Sequence, residues 1–199
     1  MTPLETNQLI WRKFHVHAGD HCPIYCWEGG RDRLAELFAE LGYTTGAEIG
    51  VERGLYSRIL CLKNPNLKLK CIDPWDEYYY YTRTPKEKME SIFAIAKDVL
   101  KDFNVEIVRK KSVEASKDIE NESLDFIYID AIHDFDHVIM DLIHWEPKVK
   151  KGGIVSGHDY KYGYKNGVIQ AVDVYTRVHA VNWYYITKDE DPSFFWVKE

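Results

Sequence analysis

The chain has 199 residues, 45% of them apolar and 29% charged, so one globular domain with a short extension is expected. That balance excludes a disordered chain, a collagen-like repeat and a coiled-coil rod. Its 26 basic and 32 acidic residues give a net charge of −6, without the clustered Lys and Arg that a phosphate backbone requires, so no nucleic-acid partner is expected.

Residues 1–7 show neither a basic n-region nor an apolar h-region. No run reaches the roughly 18 apolar residues that span a bilayer, so no membrane partner is expected and the cytoplasm is the default setting. Cys22, Cys26, Cys61 and Cys71 then read as free thiols. His15, His17, His21, Cys22 and Cys26 crowd one stretch, but their spacing matches no paired zinc-ligand pattern. They read as a polar, irregular lead-in. With a helix over residues 31–41, residues 1–43 form a small helical N-terminal cap to a main domain over 44–199.

From residue 44 onward short apolar runs alternate with amphipathic stretches, the pattern of βαβ units and a parallel sheet. Residues 47–51 read as a strand, and 55–62 as a helix entered through Gly54. A second strand over 67–72 stops at Asp73-Pro74, since proline bars the helical region to the residue before it. The loop over 75–83 carries Tyr78, Tyr79, Tyr80 and Tyr81, flat amphipathic side chains suited to sugars or aromatic rings. A helix over 85–101 starts with proline in its first turn. Then come a strand over 105–108, a short helix over 112–117 capped by Ser112, a strand over 124–129 and a helix over 135–145. A fifth strand covers 152–156 and a helix 168–178. Residues 183–187 and 194–197 close the chain as a β-hairpin across an acidic turn.

In an open parallel sheet, ligands bind beyond the carboxyl ends of the strands. The first strand ends in a turn containing Gly50 and Gly54, which lets backbone approach a ligand ahead of a helix N-terminus. No Gly-Lys-Ser/Thr follows, so a P-loop is excluded. Glu52 occupies the middle glycine position of the dinucleotide fingerprint, where its charge repels a pyrophosphate and favours a cationic ligand. Asp73, about 20 residues beyond the glycine turn, is placed for ribose hydroxyls, and Ser112 for an adenine edge. These features select an adenosine-bearing ligand without a diphosphate, for which S-adenosylmethionine is the candidate.

The fourth strand ends at Asp130, with His133 three residues on, and the fifth at His158-Asp159. Two carboxylates suit Mg²⁺, Mn²⁺ or Ca²⁺; added imidazole shifts preference toward Mn²⁺, Fe²⁺ or Zn²⁺. Such a cation would lower the pKa of an acceptor hydroxyl, and His133, if not itself a ligand, would take the proton. Asp136 and His137 read as solvated residues of the next helix's first turn.

The order Glu48-x-Gly50-x-x-x-Gly54, Asp73-Pro74-Trp75, Asp125 through Asp130 and on to His133, Gly152-Gly153 and His158-Asp159 resembles class I S-adenosylmethionine-dependent methyltransferases. Within them it is most similar to the macrocin and mycinamicin O-methyltransferases and the cephalosporin-hydroxylase-like proteins. The resemblance covers residues 44–199. It implies a Rossmann-like α/β fold: a seven-stranded, mostly parallel sheet with helices on both faces and an antiparallel C-terminal hairpin strand. It implies that Glu48, Gly50, Gly54, Asp73, Ser112 and Asp130 bind the cofactor. It further implies that Asp130, His158 and Asp159 hold a divalent metal (Mg, Mn or Zn), with His133 as catalytic base beside Asp130. The sequence departs at His158, where these relatives carry an acid.

The expected activity is metal-assisted O-methylation of a small hydroxylated substrate, the homodimer being the assembly to look for. The alternatives are a protein of the same fold that methylates a macromolecule, or one that has lost or changed its activity.

Overall fold

Thr2 opens the chain with a reciprocal cap. Its Oγ1 accepts from the Glu5 amide at 3.3 Å, and the Glu5 carboxylate accepts from the Thr2 amide at 2.8 Å. With Pro3 in the first turn, where a missing N–H costs nothing, helix α1 (Pro3–Lys13) forms. The computed structural model describes residues 1–17, 21–26, 29–79, 83–163 and 166–199. After α1 come β1 (Ile24–Cys26), α2 (Arg31–Glu40), β2 (Thr45–Ile49), α3 (Leu55–Lys63) and β3 (Lys68–Ile72). A two-residue pair, β4 (Tyr78–Tyr79) with β5 (Arg83–Thr84), precedes α4 (Lys86–Leu100). The rest is β6 (Val105–Val108), α5 (Ser112–Ser116), β7 (Leu124–Ile129), α6 (Phe135–Trp145), β8 (Val149–Gly157), α7 (Val168–Val178), β9 (Tyr184–Thr187) and β10 (Phe194–Val197).

Among the described residues one large sheet runs in the order β1-β9-β10-β8-β7-β2-β3-β6. Strands β8, β7, β2, β3 and β6 are mutually parallel; β10 is antiparallel to both its neighbours. The C-terminal hairpin therefore inserts its last strand beside β8, as expected. The strand count is corrected from seven to eight, because β1 pairs in parallel with β9 at the sheet edge. Its three residues alternate buried, exposed, buried, too short a run to stand out from the polar lead-in around them.

Side chains alternate across the sheet and split the core in two. Phe126 and Tyr128 of β7 face α1, α2, α3 and α4, joining Ile10, Phe14, Leu34, Phe38, Leu60 and Met89. Ile127 and Ile129 face α6 and α7, joining Val138, Leu142, Trp145, Val168 and Val172. Gly46 of β2 leaves room for the Phe126 ring, whose Cε1 would lie 2.3 Å from an added Cβ. The Phe126 ring stacks on Phe38 of α2 with centroids 4.1 Å apart.

Candidate functional site

Register decides which residues meet. Ile49 of β2 pairs with Ile72 of β3 and Ile129 of β7, and Ile129 with Gly157 of β8. The following amides prolong the ladder: Gly50 donates to the Ile72 carbonyl, Asp130 to that of Ile49 and His158 to that of Ile129, at 2.7–2.9 Å. Gly50, Asp73, Asp130 and His158 thus line one rim at the strand carboxyl ends.

The β2–α3 turn is tight. Gly50 has φ +92°, and a Cβ there would lie 2.2 Å from the Asp130 carbonyl oxygen. Gly54 caps α3 in the left-handed region at φ +75°. Asp73 is buried, and its Oδ2 accepts from the Val51 and Glu52 amides at 3.1 and 3.0 Å, its Oδ1 from the Trp75 amide at 2.8 Å. Burial raises its pKa, opposed by these three hydrogen bonds. The carboxylate expected to meet ribose is also the clamp that shapes the turn. Trp75, fully buried, adds a second clamp through an indole N–H to the Glu52 carbonyl at 2.8 Å.

Glu48 points from β2 to the α3 side, where the Ser57 hydroxyl donates to its Oε2. Burial pushes its pKa up to about 8, and Asp130 and Asp73 add to the rise while Arg31 and the Ser57 bond oppose it. Ser112 is the first residue of α5, not its cap; Lys111 takes that position. The Ser112 hydroxyl instead donates to Asp141 and accepts from the Trp145 indole at 2.8 Å, tying α5 to α6.

Across the rim Asp130, His133 and Asp159 converge, each offering one donor atom within 4.8 Å of the others. His133 Nε2 lies 3.3 Å from Asp130 Oδ1 and 3.3 Å from Asp159 Oδ2. His158, placed with the metal ligands from sequence, sets its Nδ1 3.7 and 3.5 Å from the same two oxygens. Burial works against the Asp130 charge, but hydrogen bonds and positive charge from His133 and His158 hold its pKa at about 2. Burial likewise opposes the His158 charge, and the two carboxylates outweigh it, taking the pKa to about 9. Asp159 holds φ +58°, a strained value that aspartate tolerates better than most residues. Asn166 Nδ2 donates to its carbonyl at 3.2 Å, and the neighbouring Gly167 amide to the His133 carbonyl at 2.8 Å, so one loop positions both.

Other sequence candidates fall elsewhere. Asp134 caps α6 by accepting from the His137 amide at 2.9 Å, leaving Asp136 and His137 in an exposed first turn. Among the described residues the N-terminal histidines and cysteines do not gather in threes. Cys26 is buried in the core, its thiol pushed up to about 12 by burial, while Cys22 is exposed and donates to the Asn182 carbonyl at 3.3 Å. Tyr80 and Tyr81 lie outside the described residues. Sequence reasoning overlooked Arg31, which reaches the rim from α2. Its signal, an arginine opening a helix after two glycines, marks nothing until the fold sets it beside Asp130.

A glycine turn, a clamping carboxylate one strand along and a reversed final strand define a methyltransferase-type fold. The chain belongs to a family described as a methyltransferase domain, whose model matches residues 47–160. No curated protein sequence matches it. Among solved structures it is similar to an O-methyltransferase from Bacillus cereus in complex with SAH, at 14% identity and a TM-score of 0.60, covering 100% of this chain and 92% of that one. It is similar to an assigned O-methyltransferase from Klebsiella pneumoniae, at 13% identity and TM-score 0.62, with coverage of 98% and 90%. A cofactor-bound protein from MTB, Rv0187, aligns at 13% identity and TM-score 0.62, covering 84% of this chain and 79% of that one. At these identities the likeness is one of fold.

Proposed function

We propose that this chain is an S-adenosylmethionine-dependent O-methyltransferase that acts on a small hydroxylated molecule with the help of a divalent cation. The observation that carries the reading is the convergence of Asp130, His133 and Asp159 on the rim that also bears the Gly50 turn and Asp73. Two carboxylates and an imidazole are a donor set that fits Mg²⁺, Mn²⁺ or Zn²⁺. Asp130 and Asp159 would hold the ion, with His158 or His133 as nitrogen donor. The likeness to macrocin-type enzymes, and the complex with SAH formed by the Bacillus cereus neighbour, support the cofactor assignment.

Bound S-adenosylmethionine would supply an electrophilic methyl group for an acceptor oxygen, with S-adenosylhomocysteine as the leaving thioether. A bound cation supplies Lewis acidity that makes that oxygen a better nucleophile. The chain's own contribution is orientation and charge. Gly50 lets the backbone approach the ligand, Asp73 holds the turn, and the acidic rim favours a sulfonium over a pyrophosphate. His133, whose Nε2 lies 3.3 Å from both carboxylates, is the residue proposed to move the acceptor's proton. Four free thiols, three of them buried, support a reducing cytoplasmic setting.

His158 favours a second reading. It stands within 3.7 Å of Asp130 and 3.5 Å of Asp159, whose charges raise its pKa to about 9, so the rim carries a basic group where the resembling enzymes carry an acid.

Titration calorimetry with S-adenosylhomocysteine and Mn²⁺ tests the assignment. The expected result is binding of both by the wild type, and loss of Mn²⁺ binding in Asp159→Ala with nucleoside affinity nearly unchanged. No nucleoside binding overturns the cofactor assignment. Methyl transfer to hydroxylated acceptors that persists in excess chelator favours the second reading.

A further inference from the structure

The guanidinium of Arg31 stands at the rim between a long ion pair to Asp130 and the Tyr56 ring, with its N–H donors not taken up in hydrogen bonds among the described residues. Its Nη1 lies 3.8 Å from Asp130 Oδ2, beyond hydrogen-bond reach, and its Cζ rides over the Tyr56 ring, 5.1 Å from the centroid. Its side chain is about one-third exposed. The placement is nevertheless built. Tyr56 OH donates to the Arg31 carbonyl at 2.9 Å, fixing the first residue of α2 against α3. Gly30, just before it, sits so close to the β9–β10 turn that a Cβ would fall 2.0 Å from Asp189 Oδ2. Two other elements thus hold the start of α2 where its arginine reaches the strand ends.

A guanidinium that faces a carboxylate across a gap is complementary to a group bearing both charges. An α-amino acid is such a group, its ammonium matching Asp130 and its carboxylate matching Arg31. Arginine offers paired N–H donors in the plane a carboxylate accepts, which lysine cannot reproduce. On the reading that S-adenosylmethionine binds here, we infer that Arg31 receives the α-carboxylate of its methionyl end. The N-terminal segment then contributes a cofactor-binding residue to the site, in addition to whatever it does for the acceptor.

The test compares two probes on each protein: S-adenosylhomocysteine and its decarboxylated analogue, the adenosyl thioether of 3-aminopropanethiol. By calorimetry, the wild type should prefer the carboxylate-bearing probe by about 10- to 100-fold, the range expected for charge-assisted hydrogen bonds. In Arg31→Gln this preference should collapse to about 2-fold or less, chiefly through weaker binding of S-adenosylhomocysteine. Arg31→Lys should retain part of it. The preference is a ratio within one preparation, so partial unfolding of a variant does not imitate the result. Unchanged preference in Arg31→Gln, or equal weakening of both probes, overturns the role of Arg31 while leaving the cofactor assignment standing. A wild type that binds neither probe overturns both.

Discussion

Gly50 shows how one residue can set a site. Its φ of +92° is open to glycine at no steric cost, and an added Cβ would press on the Asp130 backbone, which cannot yield as a flexible side chain would. Gly50→Ala should lower unfolding free energy by at least about 2 kcal/mol, combining backbone strain with that clash. Urea denaturation reads the loss directly; an unchanged midpoint would mean that the turn is looser than its dihedrals indicate. Glu52 and Trp75 bear similar strain with side chains, at φ +49° and +41°. They hold it because Asp73 accepts from both their amides and the Trp75 indole closes on the Glu52 carbonyl. The Asp73-Pro74-Trp75 run therefore does more than end a strand.

At the scale of elements, α5 and α6 meet through a part-buried polar contact that also bears on pH. Asp141 of α6 accepts from Ser112 of α5, and burial pushes its pKa up to about 6 despite that bond. The raised value means that the folded state holds the proton more tightly than the unfolded chain. Its stabilising contribution is present below the unfolded value of 3.8 and is lost as pH rises through about 6. Asp141→Asn keeps an acceptor for Ser112 and removes the ionisation. It should stabilise the protein by about 3 kcal/mol above pH 6, with the advantage vanishing near pH 4. Thermal melts of both proteins across that range would show the difference closing; a constant offset would point to some other cause.

Across the whole molecule, the N-terminal segment is built into the core. Ile10 of α1 and Phe14, which caps its C-terminus, lie in the same apolar cluster as Phe195 of β10 and Ile154 of β8. Thr6 Oγ1 and Tyr43 OH both donate to the Gly152 carbonyl, at 2.9 and 2.8 Å, and the Trp11 indole donates to Tyr185 OH at 2.8 Å. Ile10 is fully buried, so Ile10→Ala should cost about 2–5 kcal/mol in chemical denaturation. A helix resting loosely on the surface would show little change. This integration also brings α2, and with it Arg31, to the rim at the strand carboxyl ends.

Much of the fold was legible because the periodicities from residue 44 onward are local. The β7, β10, α6 and α7 boundaries match those expected, and the order of short apolar runs and helices implied a parallel sheet with a reversed final strand. The signals that failed were local too, but weak. The cap at Thr2 and Glu5 was present in the sequence, yet it preceded a helix of modest amphipathicity; β1 has only three residues. The residue types at the site, two carboxylates and two imidazoles at strand ends plus a glycine turn, could be picked out because strand ends are where such chemistry gathers. Which of them touch could not. That Asp130, His133 and Asp159 converge, that Asp73 clamps the turn, that Ser112 bonds to Asp141 and that Arg31 enters from another element all depend on strand register and helix packing. Those are set by contacts between residues that lie far apart in the chain, Trp11 and Tyr185 by 174 positions, where side-chain shape and burial decide the outcome and sequence spacing carries no information.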